Sequence, residues 1–311
     1  MRRHTLRYDV LLLLTAAIWG FAFVAQRAGM KHVGPFTFNA LRFALGALVL
    51  LPLAWAHRPR AAAARRRLLA GGSLAGLVLF AGAAFQQGGL VYTTAGKAGF
   101  ITGLYVVFVP LGGLFWGLRP GRGGWGGAAL AVGGLFLLTY TRGTPIQLGD
   151  ALVLGGALCW AAHVGLIARL SPTLPAIPLA AMQFLVCAGL SGAVALVGES
   201  FSAAAFGHVV IPLAYAGIIS VGIAYTLQVV SQRHAPPAHA AIIMSLEAVF
   251  AALGGWLLLN ERLAPRALLG CALMLAGMVV SQLTTRDRPT PPAVAGQGAG
   301  VLDSSAPGGS R

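Results

Sequence analysis

Runs of apolar residues, each about as long as a bilayer is thick, follow one another along this chain with only short polar breaks between them. Ten can be marked, at roughly 9–27, 36–56, 68–90, 97–118, 125–141, 149–169, 177–198, 209–230, 238–258 and 265–284; about 20 apolar residues on a helix cross the hydrocarbon core. The breaks hold turn residues, as at Gly34-Pro35, Arg119-Pro120-Gly121 and Pro236-Pro237. None is long enough for a soluble domain. The pattern predicts an all-α integral membrane protein with ten transmembrane helices. Beyond 285 it stops. Residues 286–311 begin Arg-Asp-Arg-Pro-Thr-Pro-Pro, stay rich in Pro, Gly, Ser and Ala, and are expected to form a disordered cytoplasmic tail.

The order of spans repeats. Moving the second half back by 141 places Trp160 on Trp19; moving it by 142 places Leu246, Val249, Phe250 and Gly255 on Leu104, Val107, Phe108 and Gly113, with Glu247 on Tyr105. Five spans is an odd number, so the second copy must lie upside down relative to the first. Two inverted five-helix repeats follow, 1–142 and 143–285, with a site expected near the midplane. Glycine pairs such as Gly72/Gly76, Gly99/Gly103, Gly113/Gly117 and Gly123/Gly127 point to close helix packing. Pro110 removes a backbone donor from the fourth span and is a candidate kink.

Composition removes other classes. Hydrophobic residues are 57% and charged residues 9% of the 311 positions, with mean hydropathy +0.79; a soluble domain carries about a quarter charged residues. The 22 Lys and Arg against 7 acids could suggest nucleic acid, but no basic cluster is interleaved with stacking aromatics. The excess sits between the spans and reads as topology. With the N-terminus in the cytoplasm, that side holds Arg2, Arg3, Arg7, Arg58, Arg60, Arg65, Arg66, Arg67, Arg119, Arg122, Arg169, Arg233, Arg286, Arg288 and Arg311, which is 15. The far side holds six (Arg27, Lys31, Lys97, Arg142, Arg262 and Arg266), and Arg42 lies inside a span. Both termini are expected in the cytoplasm of a multi-pass protein of the cell (inner) membrane. The N-terminal stretch reads as a first transmembrane helix rather than a cleaved signal, since Asp9 interrupts it and nine spans follow. Cys159, Cys187 and Cys271 lie in apolar runs and read as packing residues.

Polar side chains inside the spans carry the candidate chemistry. Glu247 is the one acid at mid-span, where insertion of an ionisable group costs roughly 2–3.5 kcal/mol. On an unbroken helix it shares a face with Ala240, Ala251 and Gly254, small neighbours that suit protein contact. It is either a structural carboxyl bonded to a neighbouring helix or a substrate or proton site. Arg42, about 9 Å into its span, either snorkels or pairs with an anionic group or with Glu247; Gln183 is its counterpart in the repeat register. Trp19 and Trp160 are interfacial anchors or cavity walls. His163 is a proton-handling group or a histidine bonded to a helix carbonyl. Gln86, Gln87, Tyr105, Tyr225 and Gln228 fit a cavity lining or interhelical hydrogen bonds. Lys97, Arg27 and His239, at span ends, are expected to be solvated or headgroup-facing.

These residues resemble the EamA-type family of the drug/metabolite transporter superfamily over nearly all of 9–285. The first copy carries Trp19-Gly20, Leu41-Arg42-Phe43 and Phe100-Ile101-Thr102-Gly103-Leu104 running into Val107-Phe108-Val109-Pro110; the second carries Gly149-Asp150, Trp160-Ala161, Leu246-Glu247-Ala248-Val249-Phe250 and Asn260-Glu261-Arg262-Leu263. Ala248 stands where the family usually has Pro, Leu118-Arg119-Pro120 where many members have Gly-Glu, and Asn260 where the family has Gly. The resemblance implies a secondary carrier of small metabolites or drugs. The expected substrate cavity is Trp19, Arg42, Gln86, Tyr105, Trp160, His163, Gln183, Tyr225, Gln228 and Glu247. Expected partners are a small-molecule substrate, the lipid bilayer and protons as a candidate coupling ion, in a monomer or homodimer. No metal cluster, cofactor motif, ATPase loop or catalytic constellation is visible, so no enzyme and no cofactor are expected. The competing class is a non-transporting integral membrane protein, a membrane enzyme or an assembly partner.

Overall fold

The computed structural model describes residues 2–93, 95–115, 121–139, 147–200, 203–259 and 265–285. The tail 286–311 and the stretches 118–120 and 260–263 lie outside the described residues, and so does the side chain of Lys97. All regular structure among the described residues is helical. In chain order the helices are α1 (Arg2–Gly29), α2 (Pro35–Ala56), α3 (Ala62–Tyr92), α4 (Ala95–Gly103), α5 (Tyr105–Phe115), α6 (Arg122–Thr139), α7 (Leu148–Leu170), α8 (Ala176–Gly198) and α9 (Ala203–Ala214). A π-helical stretch (Tyr215–Tyr225) then leads into α10 (Thr226–Gln232), α11 (Pro237–Met244), α12 (Glu247–Leu259) and α13 (Pro265–Thr285).

Among the described residues, seven helical segments are long and apolar enough to cross a membrane: Leu6–Gly29, Pro35–Ala56, Ala62–Tyr92, Leu148–Leu170, Ala176–Gly198, Phe206–Gln232 and Pro237–Leu258. Shorter apolar helical segments run Ile101–Leu114 and Leu268–Ser281. The outer surface is correspondingly apolar, with Leu196 89% and Val197 92% exposed, as lipid contact requires. The chain is a multi-pass membrane protein.

Helix starts follow local chemistry. Pro35 and Pro237 open α2 and α11 at positions that need no backbone donor. The orphan N–H groups of Phe36 and Thr37 donate to the Glu199 carboxylate at 2.8 and 2.7 Å, which joins the start of α2 to the end of α8. A capping box of Gln147 and Asp150 opens α7.

Two apolar runs are broken in the middle. The fourth predicted span breaks at Leu104, between α4 and α5, and the ninth at Ser245 and Leu246, between α11 and α12. The unbroken helix expected around Glu247 is therefore corrected: Glu247 opens α12 instead of sitting in mid-helix. Leu246 N–H reaches Ile243 O and Ala248 N–H reaches Ser245 O, both at 3.2 Å, contacts three residues back that tighten the turn. Ser245 Oγ donates to Ile242 O at 2.8 Å, offering that carbonyl a partner other than the helix ladder. Neither break has a proline at it. Pro110 lies inside α5, and the chain has already turned at Leu104.

The helices pair closely. α6 runs along α13, α2 along α8, α3 against α7 and α8, and α1 against α12 and the π stretch. A methyl group on Gly127 would lie 2.7 Å from Gly277 O, and one on Gly134 2.5 Å from Gly270 O, so α6 and α13 meet backbone to backbone. At Gly20 an added Cβ would meet Phe250 Cβ at 2.4 Å and Glu247 O at 2.6 Å. Only glycine lets α1 pass this close to the first turn of α12.

Candidate functional site

The paired layers leave a cavity of about 520 Å³, its open mouth included, at the breaks of the two interrupted spans. Tyr105, at the start of α5, and Glu247, at the start of α12, both line it. Their phenol and carboxyl are interacting neighbours, although the Tyr105 hydroxyl completes no hydrogen bond of good geometry.

The walls are aromatic. Tyr225, at the end of the π stretch, has the ring of Trp19 at 4.6 Å, Phe184 at 5.9 Å, Phe43 at 6.1 Å, and Trp160 and His163 at 6.2 Å. Such centroid separations are those of favourable tilted and edge contacts. The ring nitrogens are tied down. Trp160 Nε1 donates to Gln86 Oε1 at 2.9 Å, Gln86 Nε2 to Gln26 Oε1 at 3.4 Å, and Gln26 Nε2 to Ala22 O at 3.2 Å. This chain of bonds joins α7, α3 and α1.

The π stretch positions its own wall. Its carbonyls accept from α1 side chains, Ser220 O from Trp19 Nε1 and Ala224 O from Thr15 Oγ1, both at 3.3 Å. In return Tyr215 OH donates to Ile18 O at 2.9 Å. π-helical turns occur mostly as single-turn bulges, frequently at functional sites; this one runs 11 residues.

Two ionisable side chains, one basic and one acidic, face the same space. Arg42 is 3% and Glu247 5% exposed, and both line the cavity. No ion pair joins them among the described residues, which excludes the expected Arg42–Glu247 bridge. Arg42 Nε has no hydrogen-bond partner, and its guanidinium rests on the Phe43 ring at 4.8 Å.

Of the residues singled out from the sequence, Trp19, Arg42, Gln86, Tyr105, Trp160, His163, Tyr225, Gln228 and Glu247 share this one cavity. Gln183 does not reach it. It stands behind His163, with Oε1 2.7 Å from the His163 Nε2, so the histidine is bonded to a glutamine and not to a helix carbonyl. Gln87 turns away, its amide on Met30 Sδ. Arg27 is exposed, as expected at a span end. His239 corrects the expectation of a headgroup-facing side chain: it is 2% exposed and bonded on both ring nitrogens. Sequence reasoning passed over Gln26, Thr102 and Ser220 of the lining. Gln26 sits close to a span end, and Ser and Thr are too common in helices to stand out; the polar character of Gln26 was the one available signal.

A family model described as the EamA-like transporter family matches the chain twice, over 6–140 and 147–282. The chain is 32% identical over 289 residues to the threonine/homoserine exporter RhtA of Escherichia coli (strain K12), covering 89% of this chain and 91% of that one. It is 31% identical over 283 residues to an uncharacterized transporter of Archaeoglobus fulgidus, covering 88% and 85%. A solved crystal structure superposes with a TM-score of 0.75 at 19% identity, over 90% of this chain and 98% of that one, a likeness of fold.

Proposed function

The chain belongs to the EamA-like transporter family, and from that premise we propose a secondary carrier that moves a small zwitterionic or polar metabolite by alternating access. The two family matches are read as five-helix repeats, 1–142 and 143–285, inverted with respect to each other and making ten spans in all. The protein is placed in the cell's inner membrane with both termini cytoplasmic, on the distribution of 15 against six basic residues.

The observation that carries the substrate reading is the pair of buried, unjoined ionisable groups in one aromatic cavity, the basic Arg42 and the acidic Glu247. A buried ion without a counter-ion costs free energy, and a ligand bearing the opposite charge offsets that cost. A substrate with one carboxylate and one ammonium group would answer both. The exporter named among the relatives handles substrates of that class, threonine and homoserine.

Glu247 is also the group proposed to exchange a proton. An acid at the hinge of a broken helix, beside a phenol and facing a cavity, can hold a proton or an ammonium group but not both, and that exclusion couples the two movements. Protons are thus the proposed coupling ion.

The test is uptake into proteoliposomes of labelled threonine, homoserine and non-zwitterionic controls, after a thermal-shift screen for ligands. The parent should move a zwitterion faster than its amide or decarboxylated analogue, and Arg42→Gln should remove that preference for a carboxylate. Equal rates for all analogues, or an unchanged preference in Arg42→Gln, would overturn the substrate reading.

A further inference from the structure

The cavity sits in the middle of the bundle, against the two helix breaks. On α1 it is lined by Trp19, Ala22, Phe23 and Gln26 and by nothing nearer the start of that helix; α2 contributes Arg42 from its first third and α3 contributes Gln86 from its last. On α7 it is lined by Trp160, His163 and Val164, past the middle of that helix, and on α10 by Gln228, so the cavity lies across the level of the helix breaks. The end of the bundle where α1 begins is shut by a buried polar cluster. His239 Nε2 lies 3.0 Å from Asp9 Oδ1 and its Nδ1 lies 3.0 Å from Ser281 Oγ. Asp9, His239 and Ser281 are 6%, 2% and 0% exposed. The cluster ties α1, in the first family match, to α11 and α13 in the second. Tyr8 stacks on His234 beside it, with centroids 4.1 Å apart, and joins α1 to the turn before α11.

This acid, base and hydroxyl have register counterparts. The two family matches start 141 residues apart (6 and 147) and end 142 apart (140 and 282). In that register Asp9 corresponds to Asp150, His239 to Lys97 and Ser281 to Thr139: again an acid, a base and a hydroxyl residue. The helices that carry them keep the same neighbours, for α4 packs against α7 and α6 as α11 packs against α1 and α13. Asp150 opens α7 at the end of the bundle where α1 finishes, accepting from Thr93 Oγ1 and from Gln147 N–H at 2.9 Å.

We infer that Asp9, His239 and Ser281 are a latch closing the end of the carrier where α1 begins, made in one state of the carrier and released in the other. The inference rests on alternating access and adds which side chains hold one end shut. A buried acid and base suit this work. Together and hydrogen-bonded they tolerate the dry interior, and apart each needs water, so the latch is either made or wetted and has no stable half-way state.

The test is sided labelling. In a background with Cys159, Cys187 and Cys271 replaced by serine, Met244→Cys places one thiol on the cavity wall. A membrane-impermeant maleimide is added to either face of sealed, oriented proteoliposomes. Asp9→Asn and His239→Gln should each raise labelling from the α1-start face relative to the other by about tenfold, the worth of one buried hydrogen bond. A disulfide across Asp9→Cys/His239→Cys should abolish labelling from the α1-start face and leave the other intact until reduced. This second measurement reads gating without removing the contact. If the parent labels from both faces and neither the single variants nor the cross-link changes the ratio, the latch is overturned and alternating access stands. If the parent labels from one face only, with every variant alike, alternating access itself fails, and the latch fails with it.

Discussion

The two broken spans, α4–α5 and α11–α12, are built alike and carry different chemistry. Each bends one residue before a side chain that faces the cavity, at Leu104 before Tyr105 and at Leu246 before Glu247. The repeat register puts Leu104 on Leu246 and Tyr105 on Glu247. Backbone geometry is thus shared between the halves while the working group is not: one half offers a phenol, the other a carboxyl. A duplicated scaffold supplies the hinge twice, and a single substitution at the second hinge supplies the charge. The hinge and the charge are therefore separable by mutation.

The largest expected effect comes from erasing the charge at one hinge. Glu247→Gln should keep the fold and lower proton-driven transport by about 10- to 100-fold, because the amide still hydrogen-bonds but cannot exchange a proton. Counterflow of substrate without a gradient should persist, and parent-like rates and pH profile in both assays would reduce Glu247 to a structural role. Next comes the packing that holds each hinge. Gly20 admits α1 to the first turn of α12, and its register counterpart is Ala161 on α7. Gly20→Ala should cost about 1–3 kcal/mol of stability by overpacking, read as a lower denaturation midpoint in detergent. Ala161→Gly should cost about 1 kcal/mol through helix propensity; equal costs would show that the two contacts are not differently tight. A smaller effect is expected at the other hinge, where Tyr105→Phe removes a hydroxyl with no completed hydrogen bond. Transport should fall by no more than about fivefold, since an unmade bond contributes little. Smallest of all, Ser245→Ala removes one side-chain bond to Ile242 O and should change stability by about 0.5–1 kcal/mol without straightening the turn, as shown by an unchanged helical circular-dichroism signal.

The helical, membrane-spanning character was legible because lipid imposes one rule on every span, apolar residues for a fixed length. The polar lining was legible for a related reason: Arg42, Gln86, Gln228 and Glu247 are each too costly in hydrocarbon to face lipid. His239 lies in the first turn of a span, where a polar residue reads as solvated, and nothing in the local sequence announces Asp9 and Ser281 from 230 and 42 residues away. The turn at Ser245 was hidden because no proline or glycine marks it. The π stretch was hidden because its apolar residues, Tyr215-Ala-Gly-Ile-Ile-Ser-Val-Gly-Ile-Ala-Tyr225, read equally well as ordinary helix. Such a stretch is set by tertiary partners, here Thr15, Ile18 and Trp19 of α1.

The aromatic box has a photophysical consequence. The chain has six tryptophans. Trp19 and Trp160 stand on the cavity wall with their indole N–H groups bonded to protein acceptors, whereas Trp55, Trp125 and Trp256 are 70%, 37% and 51% exposed on the outer surface. Lipid carrying a brominated acyl chain quenches by contact and silences the outer group first. Among the five described tryptophans, the emission that survives comes from Trp19 and Trp160, within reach of whatever enters the cavity. The carrier thus holds a built-in optical reporter of its own occupancy, readable without attaching a dye.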